Sequence, residues 1–187
     1  MAEWLRQSPL AHRSLLARAG DGGEAGIRLC ERPAGAMVEV RGEPAELAAR
    51  LGFPMPEANQ TARHESATIL WLGPDQWLWV AERARDWPAA VPALDVGDAR
   101  AVLGLSGARA RDLLARACPL DLHPSVFAPG RCAQTTLART TMLLHLLADE
   151  PGLGPSFDLY VARSYADYAW SWLERAGAPF GVAVVER

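Results

Sequence analysis

The stretch VLGLSGARARDLLARACPLDLHPSVFAPGRCAQT (Val102–Thr135) decides the fold. An apolar run typical of a buried strand leads through a glycine into a helical pattern, and a proline-containing connection then leads through Gln-Thr into a further strand. The helical pattern repeats apolar residues at the spacing of one helix face, namely Ala110, Leu113, Leu114 and Ala117. The stretch therefore predicts a strand, a helix and a second strand packed as one unit.

The same order occurs earlier, in VEVRGEPAELAARLGFPMPEANQT (Val38–Thr61), which also ends in Gln-Thr. Repeated organisation of this kind indicates related structural units. We expect an α+β fold of two related halves, at about 24–93 and 94–187. Residues 1–23 precede them as an N-terminal arm with a short helix, and the glycine-rich Gly20–Gly26 marks a linker.

Further strands and helices follow from local patterns. In the first half we predict two strands, a helix begun by a proline and a hairpin, at Ile27–Glu31, Ala36–Val40, Pro44 to about Leu51 and residues 67–82. Trp77 and Trp79 alternate onto one face of that hairpin. In the second half we predict strands at Arg100–Ser106, 134–138, 140–148 and 157–161, with a helix from Gly107 to about Ala117.

The chain closes with a helical pattern that Ser164 is expected to cap, with Asp167 three residues later and a stop at Gly177. One face collects aromatic and small residues, namely Tyr165, Tyr168, Ala169, Trp172 and Ala176. Trp170 lies off that face, so we expect it to point outwards, where it would either contact a partner protein or pack under a loop of its own chain. The N-terminal arm lacks a core of its own and is expected to reach the same partner through Pro9, Leu10 and His12.

Composition narrows the class of protein. With 187 residues and 50% apolar content the chain can bury a substantial core. No apolar run approaches the ~20 residues of a membrane span, and the first residues lack a signal core, so we expect a soluble cytoplasmic protein. The net charge of −3 argues against nucleic-acid binding. Three cysteines are expected to be reduced thiols.

The connection Cys118–Thr135 contains residue types that bind metals, namely Cys118, Asp121, His123 and Cys132. Zinc sites usually present ligands in close pairs, and this spacing has none, with Cys30 the only other cysteine. A helix C-terminus disfavours a thiolate at Cys118. We predict buried packing cysteines, with Asp121 and His123 satisfying loop groups; a thiol enzyme using Cys132 remains an alternative.

Other catalytic patterns are absent from the sequence: it contains no phosphate-binding glycine loop and no nucleophile elbow. The arginines Arg109, Arg111 and Arg116 are interpreted as the solvated side of their helix. His145 lies between leucines in a strand and is interpreted as a satisfied, half-buried histidine. We therefore expect no catalytic, cofactor-binding or metal-binding residue in this chain.

Several segments together resemble the gamma subunit of heterotetrameric sarcosine oxidase. They are VLGLSGARARDLLARACPLDLHPSVFAPGRCAQT and SFDLYVARSYADYAWSWLERAG, with SPLAHR (Ser8–Arg13) and LGPDQWLWV as weaker markers. Ala108 stands where the family is expected to have proline. The resemblance implies that residues 24–187 form a unit like the folate-binding domain of glycine-cleavage aminomethyltransferase.

The resemblance also implies a function. Such complexes oxidise the N-methyl group of sarcosine, giving glycine, hydrogen peroxide and formaldehyde, or methylene-tetrahydrofolate. FAD, FMN, NAD, zinc and tetrahydrofolate are then expected in the alpha, beta and delta subunits, and this chain is expected to be an accessory subunit contacting alpha. The alternatives are the small subunit of a related N-methyl amino acid dehydrogenase and a stand-alone folate-binding protein.

Overall fold

The computed structural model describes residues 7–13, 15, 25–33, 35–81 and 91–185, without the side chain of residue 150. Most of the expected arm helix and glycine-rich linker lies outside the described residues, as does most of the connection before residue 92. The described ranges contain most of both predicted halves.

The first sheet has five antiparallel strands and packs against one helix. Its strands are β2 (Ala36–Arg41), β3 (Thr61–His64), β4 (Ala67–Gly73), β5 (Gln76–Ala81) and β6 (Leu94–Asp95), in the order β3-β4-β5-β2-β6. Helix α1 (Pro44–Leu51) begins with the Glu43 carboxylate accepting a hydrogen bond from the Glu46 amide. It ends at Gly52, whose positive φ of 82° favours glycine.

The second sheet has six strands and packs against two helices. Its strands are β1 (Ile27–Glu31), β7 (Arg100–Ser106), β8 (Cys132–Leu137), β9 (Thr140–Glu150), β10 (Gly154–Ala162) and β11 (Val182–Val184), in the order β11-β1-β7-β10-β9-β8. The β1–β11 pair is parallel, and the other pairs are antiparallel. Helix α2 spans Ala110–Leu114, shorter than expected, and α3 spans Ala166–Gly177.

The two sheets lie face to face with the helices outside. A buried cluster joins the inner faces of both sheets and includes Met37, Leu70, Leu78, Val102 and Tyr160. Separate clusters place α1 on the outer face of the first sheet, with Trp77 and Trp79 on one face as expected, and α2 and α3 on the outer face of the second. Alternation in β10 sends Phe157, Leu159 and Val161 to the helix side, as predicted.

The predicted repeat is confirmed. Strand β2, helix α1 and strands β3 to β5 recur as β7, α2 and β8 to β10, and the orders β2-β5-β4-β3 and β7-β10-β9-β8 match. Reciprocal hydrogen bonds join the halves where β3 and β8 begin: the Thr61 amide donates to the Gly130 carbonyl at 2.9 Å, and the Cys132 amide donates to the Asn59 carbonyl at 3.1 Å. Thr61 therefore corresponds to Cys132. The second Gln-Thr pair thus lies three positions after the residues that correspond to the first pair.

The register carries this correspondence across the sheets. Leu70 lies opposite Thr61 in the first sheet, as His145 lies opposite Cys132 in the second. Continuing to the next strands, Leu78 lies opposite Glu39 as Asp158 lies opposite Gly104. Leu70 and His145 are thus equivalent positions, and so are Leu78 and Asp158.

The boundary between the halves along the chain does not coincide with the boundary between the sheets. Strand β1 from the predicted first half pairs with β7 and β11 of the second sheet, and β6, at residues 94–95, pairs with β2 of the first. Each half thus contributes a strand to the other's sheet. Strand β11 was not predicted, because its three residues give too short a pattern.

The prediction that Trp170 points outwards is wrong, since its side chain is 0% exposed. The buried face of α3 is one step around the helix from the expected face and consists of Ala166, Ala169, Trp170, Leu173 and Gly177. Tyr165 and Tyr168, taken as interior, are 50% and 38% exposed. A 3₁₀ turn precedes the helix and Ser164 does not cap it, whereas the end at Gly177 is confirmed.

The described part of the N-terminal arm packs on its own chain. Leu10 is 1% exposed in the core that also contains Trp170, so the prediction that these two residues contact a partner is wrong for the folded chain. The Ser8 hydroxyl donates to the Glu31 carboxylate at 2.5 Å. The core of the second sheet supplies the apolar surface that the local sequence lacks, which is why the arm docks. Pro9 is half-buried and His12 exposed.

Candidate functional site

A polar row crosses the inner face of the second sheet. The strand register places five residues side by side, one on each of five neighbouring strands: Cys30, Gly104, Asp158, His145 and Cys132. Side chains at directly paired positions point to the same face of a sheet. The row therefore brings a carboxylate, an imidazole and two thiols into the layer between the sheets.

Arg32, just after β1, lies across this row and neutralises Asp158. Its Nε donates to Asp158 Oδ1 at 2.9 Å. Burial raises the pKa of Asp158 above its ordinary value, although Arg32 opposes that rise. Arg32 thus stabilises the Asp158 carboxylate in a buried site that would disfavour an isolated charge.

Gly104 allows this ion pair to form. A Cβ atom on Gly104 would lie 2.5 Å from Cys30 Sγ and 2.9 Å from Arg32 Nε. Any side chain there would displace the guanidinium that reaches Asp158. The glycine in the middle of β7 is therefore explained by close approach of a side chain.

His145 is buried but not fully satisfied. Its side chain is 5% exposed, and Nδ1 has no hydrogen-bond partner among the described residues. Burial lowers the pKa of His145 to about 4, so the imidazole is neutral near pH 7. A buried unpaired polar atom costs about 1–3 kcal/mol. The interpretation of His145 as a satisfied histidine is therefore wrong at Nδ1.

A cavity of about 450 Å³ opens beside these residues, between the two sheets. Its polar lining comes from Arg32, Ser66, Thr68, His145, Asp158 and Tyr160. Burial raises the pKa of the Tyr160 phenol, which is therefore protonated near pH 7. The rest of the lining is largely apolar and includes Met37 and Val80. This combination of apolar walls and a few polar groups is typical of small-molecule sites.

The long connection before β8 is built as a structural loop, as expected. Asp121 Oδ1 accepts the His123 amide at 2.9 Å, and His123 Nδ1 lies 2.7 Å from the Ser125 hydroxyl. Cys118 is buried with its sulfur 3.6 Å from the Thr135 hydroxyl. Over the described ranges, no three His, Cys, Asp or Glu residues are grouped to hold a metal ion.

Cys132 is a poor nucleophile in this setting. Its thiol donates to the Gln60 carbonyl at 3.2 Å. Burial raises the pKa of Cys132 to about 11, so the reactive thiolate is disfavoured near pH 7. These observations support the packing interpretation over the thiol-enzyme alternative.

Arg111 does not belong to a solvated helix face. It donates to the carbonyls of Leu122 and Phe127, and its Nη2 lies 2.7 Å from Asp149 Oδ2. Because α2 is short, the long connection folds back over this arginine. Arg109, by contrast, is exposed and pairs with Asp112 three residues later at 2.6 Å, as expected for a solvated helix face.

A second feature lies at the start of α3, where the N-terminal segment docks. Asp167 Oδ1 lies 2.5 Å from Arg13 Nε and 2.8 Å from His12 Nε2. Hydrogen bonds from Arg13 and then His12 lower the pKa of the Asp167 carboxyl. The exposed Tyr165 and Tyr168 flank this ion pair in the sequence, so charged and aromatic groups lie at one end of the helix.

Comparison with known proteins places this chain in a family. The family model described as "Sarcosine oxidase, gamma subunit family" matches residues 42–179. A sarcosine oxidase subunit gamma from Corynebacterium sp. (strain U-96) is 32% identical over 201 residues, covering 97% of this chain and 94% of the relative. The chain belongs to the sarcosine oxidase gamma subunit family. A second relative of the same name, from Arthrobacter sp, is 35% identical and covers 75% of this chain and 76% of its own length.

Solved structures extend the family assignment to the fold. A chain of the heterotetrameric sarcosine oxidase from Corynebacterium sp. U-96, in complex with pyrrole 2-carboxylate, superposes with a TM-score of 0.79 at 30% identity, covering 95% of this chain and 97% of that one. The glycine cleavage system aminomethyltransferase T from Bartonella henselae gives a TM-score of 0.64 at 15% identity, over 97% of this chain and 60% of that one. The predicted α+β fold is confirmed.

This member of the gamma subunit family has an inner polar site that sequence reasoning missed. Asp158 and Tyr160 alternate with the apolar residues of β10 and fall on its other face. A charged residue inside an otherwise apolar strand was the available signal. The role of Arg32 had no such signal, because it depends on β1 pairing with a strand from the other half.

Among the described residues, no helix is both long enough and apolar enough to cross a membrane.

Proposed function

We propose that this chain is the accessory gamma subunit of a heterotetrameric sarcosine oxidase, packing on the alpha subunit and supporting its folate-binding region. The observation that carries the proposal is the nearly full-length correspondence, in sequence and in structure, with a chain of the solved heterotetramer. The complex would oxidise sarcosine to glycine and hydrogen peroxide, releasing formaldehyde or forming methylene-tetrahydrofolate.

The proposal assigns the redox chemistry to the partner subunits. Oxidising an N-methyl group requires an electron acceptor, and protein side chains leave that chemistry to cofactors. We place FAD, FMN, NAD, zinc and tetrahydrofolate in the alpha, beta and delta subunits. The buried, hydrogen-bonded Cys132 supports a role without covalent catalysis in this chain. The three cysteines are buried thiols that form no disulfide among the described residues, which supports a reducing, cytoplasmic setting.

The proposed contact with alpha lies at the start of α3. Pro9 and His12 come from the docked N-terminal segment, and Tyr165 and Tyr168 come from the helix and the turn before it. Aromatic side chains are enriched at interfaces because they bury a large area with little loss of conformational freedom. Leu10 and Trp170 then act from beneath, holding both segments in place through the core.

Co-expression tests this function. The alpha, beta and delta subunits are produced with and without this chain, and assembly and sarcosine-dependent peroxide formation are measured. We expect co-purification of the chain and a loss of assembled, active complex when it is omitted. Full assembly and activity without it would contradict the proposal.

A surface variant tests the proposed contact. We expect Tyr168→Ser to leave the stability of the chain within about 0.5 kcal/mol, as surface substitutions do, and to weaken co-purification with alpha. Leu94→Ser is the matched control, because Leu94 is also exposed but lies on β6 of the other sheet. Equal co-purification of both variants and the unmodified chain would exclude this face.

A further inference from the structure

Two residues of the inner polar row have apolar counterparts in the first half. At the equivalent positions of the first half, Leu70 replaces His145 and Leu78 replaces Asp158, and both leucines are fully buried between the same two sheets. The repeat therefore folds with apolar residues at these positions. The polar residues of the second half need another explanation.

The polar groups on the inner face of the second sheet keep unused hydrogen-bonding capacity. His145 Nδ1 is buried without a partner among the described residues. Asp158 uses Oδ1 for Arg32 Nε, and neither Asp158 Oδ2 nor the terminal nitrogens of Arg32 bond to any described residue. All three residues line the cavity. The cavity thus presents donor and acceptor atoms side by side that have no partner among the described residues.

The charges of the cavity select the kind of ligand. Arg32 and Asp158 cancel each other, and the imidazole is neutral near pH 7. An anion would face the Asp158 carboxylate, and a cation would face the guanidinium. An uncharged molecule with one donor and one acceptor meets neither repulsion.

We propose that the cavity between the two sheets binds a small uncharged molecule that carries a hydrogen-bond donor and an acceptor side by side, as an amide or a lactam does, next to an apolar body. The donor and acceptor bond to Asp158, Arg32 and His145, and the apolar body lies against Met37 and Val80. A volume of about 450 Å³ falls within the usual range of ligand sites.

The experiment uses the full chain and the lactam 2-pyridone as the probe. Nuclear magnetic resonance follows ¹⁵N in the four histidines and the ε-methyl groups of the four methionines. We expect saturable shifts of His145 and of Met37, which line the cavity, with His123 and Met55, which do not, unchanged. No shift of His145 or Met37 up to the solubility limit of 2-pyridone would overturn the proposal.

Comparison probes test the ligand class. Benzoate, benzylammonium and toluene match the ring size but carry a negative charge, a positive charge, or no hydrogen-bonding group. We expect 2-pyridone to bind at least about tenfold more tightly than each of them, since it alone supplies an uncharged donor–acceptor pair. Equal or tighter binding of any of the three would overturn the proposal.

A variant without the three polar side chains tests the residues. Arg32→Met, His145→Leu and Asp158→Leu together replace the polar groups with apolar ones, and we expect at least about tenfold weaker binding of 2-pyridone. Unchanged binding by the folded variant would overturn the assignment. If the variant does not fold, the methyl shifts of the unmodified chain decide, because Met37 reports on the cavity without any substitution.

Discussion

The two halves share a strand order and differ in what lies on their inner faces. The first half presents Leu70 and Leu78 to the layer between the sheets, whereas the second presents His145 and Asp158 at the same positions. They also differ in the connection after the helix. It is short in the first half, whereas in the second half it is long and folds back over Arg111. The shared order shows what the fold requires, and the differences show where the chain has been adapted.

Moving the charge into the first half should have the largest effect. Leu78 is fully buried in an apolar cluster and lies directly opposite Glu39, so Leu78→Asp should lower the free energy of unfolding by about 3–5 kcal/mol, because it buries a second carboxylate beside the first. Urea unfolding measures this loss. Leu78→Met is the control and should cost less than about 1.5 kcal/mol. A similar small loss for both variants would mean that either inner face accepts a carboxylate.

Removing the arginine under the long connection should come next. Arg111→Ala leaves the carbonyls of Leu122 and Phe127 without their donor and breaks the pair with Asp149, so we expect a loss of about 2–4 kcal/mol. Thermal unfolding is the readout. Arg109→Ala on the same helix should cost less than about 1 kcal/mol, since its ion pair is exposed. If Arg109→Ala proved the more damaging, the role assigned to Arg111 would be wrong.

The pH dependence of stability should distinguish the halves through His145. Its folded pKa of about 4 lies below the ordinary value of 6.5, so the unfolded chain binds the proton more readily between these values. The neutral imidazole costs no stability above pH 6.5, and the free energy of unfolding should fall by about 3 kcal/mol as the pH decreases to about 4. Urea unfolding across this range should show a shallower decline for His145→Leu, and identical declines would refute the depressed pKa.

Much of the fold follows from the sequence, because local patterns decide most elements. Strands β1, β2 and β7 were predicted to within a residue, since β-branched and apolar runs end at clear turn residues. The face of α3 was not, because Tyr165 and Tyr168 offered an aromatic stripe one step away from the buried one. Two adjacent stripes cannot be separated without knowing which one meets the sheet.

The site followed from the sequence only in part. The packing role of Cys132 and the loop role of Asp121 and His123 could be predicted, since each depends on neighbours close in the chain or on ordinary burial. The pairing of Arg32 with Asp158 could not, because it joins residues 126 positions apart across an exchanged strand. Contacts of that kind are fixed by topology, which no local pattern contains.

The smallest expected effect tests the central claim, that the inner polar row is an adaptation and not a support of the fold. The triple variant Arg32→Met, His145→Leu and Asp158→Leu places leucine at both positions where the first half has Leu70 and Leu78, and it removes the partner of Asp158. Replacing a buried ion pair with apolar residues is often neutral or stabilising. The free energy of unfolding of the variant, measured in urea, should therefore be no more than about 1 kcal/mol below that of the unmodified chain. A loss of more than about 3 kcal/mol would contradict the claim and make the polar row part of what holds the protein together.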